Sequence, residues 1–239
     1  VCLVYMRPPI TLCKNGHNTC SSCKLKLERC PTCSGEFTNV RNISIQNLAL
    51  KVYHCKYQDN GCTEVITPDK MVIHLEECLY QPFQCPLALV GKCEETRQYS
   101  QLADHVRTAH SDILNQRISK SHETNLSRYI VNSPKFFYRV LFFCEEIFFE
   151  YTVSTEHFLH CCIVHVGPKS KAANFRYSIT IQNVDKRCEI SSSQLTQNYK
   201  TDLNEMIRNG DCPTFAQAFV KKCTTKDNQL PLQISLLKI

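Results

Sequence analysis

Between residues 175 and 181 apolar and polar side chains alternate without a break. Phe175, Tyr177, Ile179 and Ile181 fall on one side, Arg176, Ser178 and Thr180 on the other. A period of two predicts a strand with one buried face. Residues 158–166 are apolar with little alternation and stop at Gly167-Pro168, which predicts a strand buried on both faces. Another strand is predicted over 232–237. Two short helices are predicted among these strands. One covers 202–208, with Leu203, Met206 and Ile207 on one face and Asn209-Gly210 as its stop; the other covers 215–222. From residue 136 onward many short strands with few helices predict an antiparallel β-sandwich. Residues 136–149 are the most apolar region, but Arg139, Glu145 and Glu146 interrupt it. No run of eighteen apolar residues exists, so no membrane-spanning helix is expected.

The first 110 residues show much weaker periodicity. Residues 40–51 fit a short amphipathic helix with Ile43, Leu48 and Ala49 as its apolar positions. Residues 23–30 fit another, with Leu25 and Leu27 either filling the space beside the cysteines or facing a partner. Pro8-Pro9 keeps 2–13 a loop. What replaces apolar patterning here is sulfur. The chain holds 17 cysteines in 239 residues, and eleven fall before residue 94. The other six, at 144, 161, 162, 188, 212 and 223, follow no ligand spacing and read as small buried apolar side chains.

The first stretch reads C-x10-C-x3-H-x2-C-x2-C-x6-C-P-T-C, with Cys2, Cys13, His17, Cys20, Cys23, Cys30 and Cys33. Thiolates and imidazoles at such spacing are the donors of tetrahedral Zn²⁺, and a C-x2-C pair can bite one ion from a tight turn. Gly16 supplies the turn between Cys13 and His17. Seven ligands are one short of two sites. A disulfide framework is the alternative; mixed cysteine and histidine at these spacings favours metal.

A second ligand frame occurs twice. Cys55, Cys62, His74 and Cys78 are followed by Cys85, Cys93, His105 and His110, each unit with eleven residues between its second and third ligands. Each reads as a short hairpin, turning at Asn60-Gly61 in the first, then a helix carrying the last two ligands. In the second helix Leu102, His105 and Val106 recur at helical spacing. The cysteine gaps of six and seven, with Glu76 and Glu77 on the first helix, disfavour phosphate contact and so argue against nucleic-acid binding. The formal charge of +6 falls to about +3 once eleven thiolates and four zinc ions are counted, a weak excess for that purpose.

These spacings resemble the RING finger and dual zinc finger of the seven-in-absentia (SINA, Siah) family of RING-type ubiquitin ligases. The resemblance implies an interleaved RING, with Cys13, His17, Cys30 and Cys33 on one zinc and Cys2, Cys20 and Cys23 on the other. The eighth ligand would lie three residues before Cys2, upstream of this sequence; spacing alone also allows two sequential sites. Four zinc sites are therefore expected, one lacking a ligand here. The family's docking groove for a ubiquitin-conjugating enzyme maps to Val1, Leu27 and Pro31. The basic or amide residue that active RINGs often carry after the last ligand is Ser34 here. After residue 110, Asn174-Phe175-x-Tyr177 and Asp211-Cys212 resemble the family's TRAF-like sandwich. Its peptide groove would hold Leu114 and Gln116, where the family usually has threonine and leucine, and the groove tryptophan is absent.

The expected layout is a RING over 1–37, a connector over 38–52, a dual SINA-type zinc finger over 53–112 and a TRAF-like sandwich over 113–239. The implied function is an E3 ubiquitin ligase that recruits a conjugating enzyme through the RING and a substrate or adaptor through the sandwich, leading to proteasomal degradation. It would be a homodimer through the C-terminal domain, cytoplasmic or nuclear, with neither a nucleic-acid nor a membrane partner. Ser34 motivates the alternative of a non-catalytic adaptor or decoy. His157, His160 and His165 invite a metal or catalytic role. His157 falls in a polar turn, and the other two lie on opposite strand faces, so an ordinary structural role is expected.

Overall fold

The computed structural model describes residue 6 and residues 8–115, 121–126, 135–183, 185, 187–227 and 229–239. The chain divides into two compact units, Val1–Gln81 and Pro82–Ile239.

In the first unit, strands Ile10–Cys13, Asn18–Cys20 and Phe37–Arg41 form a sheet with the first of them central. The segment expected as a loop thus ends in a strand, where Ile10 is fully buried opposite Cys20. The helix expected over 23–30 is instead a single turn, Ser21–Lys24, and Leu25 is 88% exposed. Leu25 therefore fills no space beside the cysteines, because turns after Lys24 take over to bring the chain back to Cys30.

The connector helix, Ile43–Ala49, is capped by Asn42, whose side chain accepts from the Ile45 amide at 3.1 Å. It is amphipathic in the opposite sense to that expected. The residue it buries is Gln46, whose Oε1 accepts from the Ile10 amide at 2.9 Å and from Arg41 Nε at 3.2 Å, while Ile43 and Leu48 stay about half exposed. A buried amide without a partner costs roughly 1–3 kcal/mol. Gln46→Ala is therefore expected to destabilise this unit by about 2 kcal/mol. Faster hydrogen exchange at Ile10 would show it, and unchanged protection there would contradict it.

The first finger follows, with paired strands Tyr53–His54 and Val65–Ile66. A turn of 3-10 helix, Gln58–Asn60, ends at Gly61 with φ +108°, where a side chain would meet the Tyr80 ring. Helix Pro68–Glu77 starts with proline in its first turn. The finger's own core consists of Cys55, Cys62 and Cys78 with Tyr57 and Leu75 against them. So small an apolar core cannot hold a fold without a cross-link or metal.

In the second unit, the other finger comprises strands Pro82–Gln84 and Thr96–Gln98 and helix Tyr99–Ala109. Two sheets follow. One runs Gln197–Asn198, Phe158–Val166, Glu146–Ser154, Lys135–Phe143 and Leu114–Asn115, with Thr214–Ala216 also on Phe158–Val166. The other runs Glu189–Leu195, Phe175–Gln182, Leu230–Lys238 and Ser121–Leu126. Pairing is antiparallel except where Leu114–Asn115 and Gln197–Asn198 join the first sheet. His122 lies on the edge strand of the second sheet, while Arg128 and Gln116 lie outside the described residues.

The core between the sheets joins Leu141, Phe148 and Ile163 to Tyr177, Ile179 and Ile234. On the other face of the first sheet, Val140, Phe149 and Val164 share a core with Phe83, Leu102 and Val106 of the second finger and Met206 of helix Leu203–Asn209. Two covered faces explain why Phe158–Val166 is apolar throughout. The helix expected over 215–222 starts as strand Thr214–Ala216 and becomes helical at Gln217–Cys223. Of the six unspaced cysteines, Cys161, Cys162, Cys212 and Cys223 are buried as expected, but Cys144 and Cys188 are exposed. Cys144 occupies a hairpin turn with Glu145, both at positive φ, which points it away from any core.

Candidate metal centres

Three groups of cysteine and histidine gather their ligand atoms within 4.8 Å of one another: Cys13, His17, Cys30 and Cys33; Cys55, Cys62, His74 and Cys78; and Cys85, Cys93, His105 and His110. In the first, strand Ile10–Cys13 delivers Cys13. The turn through Gly16, at φ +81°, returns His17 so that the Cys13 amide donates to the His17 carbonyl at 3.0 Å. Cys30 and Cys33 flank a second turn closed by the Ser34 amide on the Cys30 carbonyl. In each finger the connection between the paired strands holds two thiols; the helix carries the third ligand, His74 or His105, but the last one, Cys78 or His110, is the non-helical residue that ends it rather than part of the helix as expected.

The separations fit a tetrahedral ion. Zinc with Zn–S of about 2.3 Å and Zn–N of about 2.0 Å has S···S edges of about 3.8 Å and S···N edges of about 3.5 Å. Cys13 and Cys33 sulfurs are 3.7 Å apart, and Cys55 and Cys78 sulfurs 3.9 Å. Cys13 Sγ lies 3.5 Å from His17 Nδ1, Cys62 Sγ 3.6 Å from His74 Nε2 and Cys93 Sγ 3.6 Å from His105 Nε2. His110 Nε2 is buried with no hydrogen-bond partner, which is what a ligand nitrogen aimed at an ion looks like without the ion. Glu95 Oε2 stands 3.8 Å from His105 Nδ1, on the side of the ring away from the thiol, where an outer carboxylate orients a ligand histidine.

The thiols differ in what holds their charge. Burial pushes the Cys30 thiol up, but the amides of Thr32 and Cys33 and the neighbouring thiols outweigh it and bring it to about 6. Cys85 is pushed up to about 12, chiefly by burial and then by Cys93 and Glu95 against the Leu87 amide. In such a site a cation makes the thiolate.

The expected fourth set is not among these clusters. Cys20 and Cys23 are buried at the end of strand Asn18–Cys20 and in helix Ser21–Lys24, and Cys2 lies outside the described residues. The described residues therefore bring together three clusters where four sites were expected. Of the expected docking residues, Leu27 is half-buried, Pro31 is exposed, and Val1 lies outside the described residues.

The structure also assembles a polar cluster that the sequence does not announce. Glu146 Oε2 accepts from Tyr99 Oη at 2.5 Å and faces His165 Nε2 at 2.9 Å, and its Oε1 accepts from Lys171 Nζ at 2.5 Å. His165 is fully buried, stacked on Phe175 and edge-on to Phe148. His160, on the opposite face, is 3.0 Å from Thr214 Oγ1, and His157 is exposed. None of the three histidines belongs to a cluster of potential metal ligands among the described residues. A charged residue interrupting an apolar run, as Glu146 does, was the available signal for the cluster.

Comparison with known proteins matches two stretches of this chain. Residues 1–33 match the family model described as the RING finger of the E3 ubiquitin-protein ligase sina/sinah, and residues 48–122 match the Sina zinc finger. E3 ubiquitin-protein ligase sina of Schistosoma mansoni is 37% identical over 114 residues, covering 47% of this chain and 30% of that protein. E3 ubiquitin-protein ligase siah-1 of Caenorhabditis briggsae is 27% identical over 224 residues, 90% of this chain and 51% of that one. E3 ubiquitin-protein ligase sina of Drosophila melanogaster is 34% identical over 114 residues, 47% and 36%. The matches thus cover about half or less of these relatives' lengths.

Proposed function

We propose that this chain, which belongs to the seven-in-absentia family through its RING finger and paired zinc finger, works as a RING-type E3 ubiquitin ligase. The observation that carries this reading is the cluster of Cys13, His17, Cys30 and Cys33, which joins ligand pairs that are not neighbours in sequence. The two fingers hold one zinc each, and Cys20 and Cys23 share a further ion with Cys2. The ions are structural: three sites have four protein ligands each, and the one on Cys2, Cys20 and Cys23 has three in this sequence. Leu27 and Pro31, with Val1, receive the conjugating enzyme. The sandwich, of TRAF-like type, takes a substrate or adaptor segment as an added strand and pairs two copies of the chain. The transfer needs no nucleophile from this protein. Holding a substrate lysine near the thioester of the charged conjugating enzyme supplies the acceleration, and the modified substrate goes to the proteasome. The layout is a RING over 1–37, a connector over 38–52, the paired finger over 53–112 and the sandwich over 113–239, in a protein of the cytoplasm or nucleus.

A second reading rests on Ser34, which is exposed directly after the last ligand at φ +57°. Its hydroxyl is too short to bridge a conjugating enzyme and ubiquitin, and a non-catalytic adaptor or decoy would carry such a residue. Autoubiquitination of the full-length protein with a panel of conjugating enzymes separates the two. Chain formation is expected, falling about 30-fold in Pro31→Ala and Leu27→Ala, the cost of truncating a central interface anchor. Zinc content should not change. If the wild type forms no chains and Ser34→Arg does, the decoy reading stands. If neither forms chains, ligase activity is excluded for this RING.

A further inference from the structure

Strand Phe158–Val166 and the chain entering strand Thr214–Ala216 run antiparallel, and their register sets two cysteines face to face. Phe158 lies opposite Ala216, Leu159 opposite Phe215 and His160 opposite Thr214. The pairing continues past both ends of the shorter strand. The Cys161 amide donates to the Pro213 carbonyl at 2.9 Å, and the Gln217 amide donates to the His157 carbonyl at 2.8 Å. Positions 157 and 161 are therefore hydrogen-bonded pairs, and positions 160 and 162 are the close pairs that alternate with them. At the first of these, His160 Nδ1 reaches Thr214 Oγ1 at 3.0 Å. At the second, continuing the same register, Cys162 faces Cys212. Cα atoms in such a pair stand about 4.5 Å apart, within the roughly 4.4–6.8 Å that a disulfide spans and near its short end. Cys161 is no substitute partner, because it points into the other core with Leu159 and Ile163, whereas Cys162 and Cys212 share a core with Val164.

The two thiols are unequal. Cys162 is fully buried, while Cys212 lies close to exposed Asp211 and Thr214. The hydrogen bond from Cys162 holds the Cys212 thiol well below the ordinary thiol range; His160 and Thr214 add to it, and together they outweigh burial. The same bond, with burial, pushes the Cys162 thiol up. A thiolate beside a thiol is the arrangement in which one sulfur attacks an oxidant and the other resolves the product. We propose that Cys162 and Cys212 are a redox-active pair, closed by hydrogen peroxide into a reversible disulfide that locks strand Phe158–Val166 to the segment after helix Leu203–Asn209. The Cys212 thiolate attacks one peroxide oxygen, the O–O bond breaks, and hydroxide leaves as water with the thiol's proton. The sulfur becomes a sulfenic acid. Cys162 then attacks that sulfur; the S–S bond forms, the S–OH bond breaks, and hydroxide leaves as a second water with the Cys162 proton. Two thiols have lost two electrons and two protons to one peroxide. The short Cα separation makes the product readily reducible, as a labile rather than a permanent cross-link.

The full-length, zinc-loaded protein treated with one equivalent of hydrogen peroxide, alkylated and digested without reductant, tests this by mass spectrometry. The peptide of Cys162 is expected joined to that of Cys212, lighter by two hydrogens than the pair, with zinc retained and the link lost in dithiothreitol. Cys161→Ala should keep the link. Cys162→Ala should leave a sulfenic acid at Cys212 that dimedone traps. The oxidised protein should melt about 5 °C higher or more, since the link closes a loop of about fifty residues, and should revert on reduction. Zinc release before any link forms would overturn the proposal, as would a link made through Cys161 or Cys144, or dimedone capture at other cysteines only. A Cys162–Cys212 link without a rise in melting would remove its role as a lock.

Discussion

Replacing Cys85 by serine is expected to unfold the whole unit Pro82–Ile239, whereas replacing Cys55 by serine leaves that unit's melting unchanged. The two cysteines hold equivalent places in a repeated frame but stand in different cores. Cys55 packs with Cys62 and Cys78 in a small local cluster. Cys85 is fully buried in one cluster with Phe149, Val164 and Met206, at the face where the finger covers the first sheet. Its thiol, pushed up to about 12, ionises there only for a cation, so serine loses both the metal and the packing. Structural zinc contributes on the order of 10 kcal/mol in small finger peptides, which is comparable to the entire stability of a typical domain. The tyrosine and phenylalanine near-UV signal, together with limited proteolysis mapped by mass, would follow the outcome. A Cys85→Ser protein that keeps an unshifted cooperative transition would show that the sandwich does not depend on the second zinc site.

Glu146→Gln is expected to cost the same unit about 3 kcal/mol, near the lower end for breaking a buried ion pair, or roughly 6–12 °C in melting temperature. Three donors converge on this carboxylate from helix Tyr99–Ala109, strand Phe158–Val166 and helix Lys169–Ala172. An amide offers one acceptor oxygen and turns a donor toward the rest. Because His165 is fully buried, water does not replace the lost bond. The pH dependence has a definite sign. Burial pushes the Glu146 carboxyl up, but the hydrogen bonds from His165, Lys171 and Tyr99 outweigh it and hold the group at about 2. The unfolded chain takes up the proton near pH 4.3, so the carboxylate's contribution is complete above that value and drains away as pH falls toward 2. The gap in stability between wild type and variant should therefore be constant above about pH 5.5 and narrow below it. Chemical denaturation at several pH values would measure the gap; a gap that widens in acid would show that the charge at Glu146 is not what stabilises the cluster.

How much of this was legible beforehand depends on the distance over which each feature is specified. Ligand spacing is local, so Cys55, Cys62, His74 and Cys78 could be read as one set from the chain alone. The alternation over 175–181 was likewise enough to orient Phe175–Gln182. The continuous apolar run over 158–166 predicted two covered faces without saying what covers them. One cover is the second finger, a contact between segments far apart in sequence. Gln46 was invisible for a similar reason: its value lies in accepting the amide of Ile10, thirty-six residues away. Leu25 misled because an apolar residue between ligands looks like core. Glu146 and Arg139 looked like breaks in an apolar stretch, and both turn out to be paired inside it, Arg139 making two bonds at 3.0 Å to Glu150.

The division after Gln81 falls between two copies of one repeat rather than between the repeat and the sandwich. The two fingers repeat one ligand frame but stand in different cores. The first can drift at the pace of its own small cluster. The second must keep step with Phe149, Val164 and Met206, because any change at that seam is felt by both sides. A recombination that grafts a different C-terminal region onto this protein near residue 112 would leave half of a shared core behind.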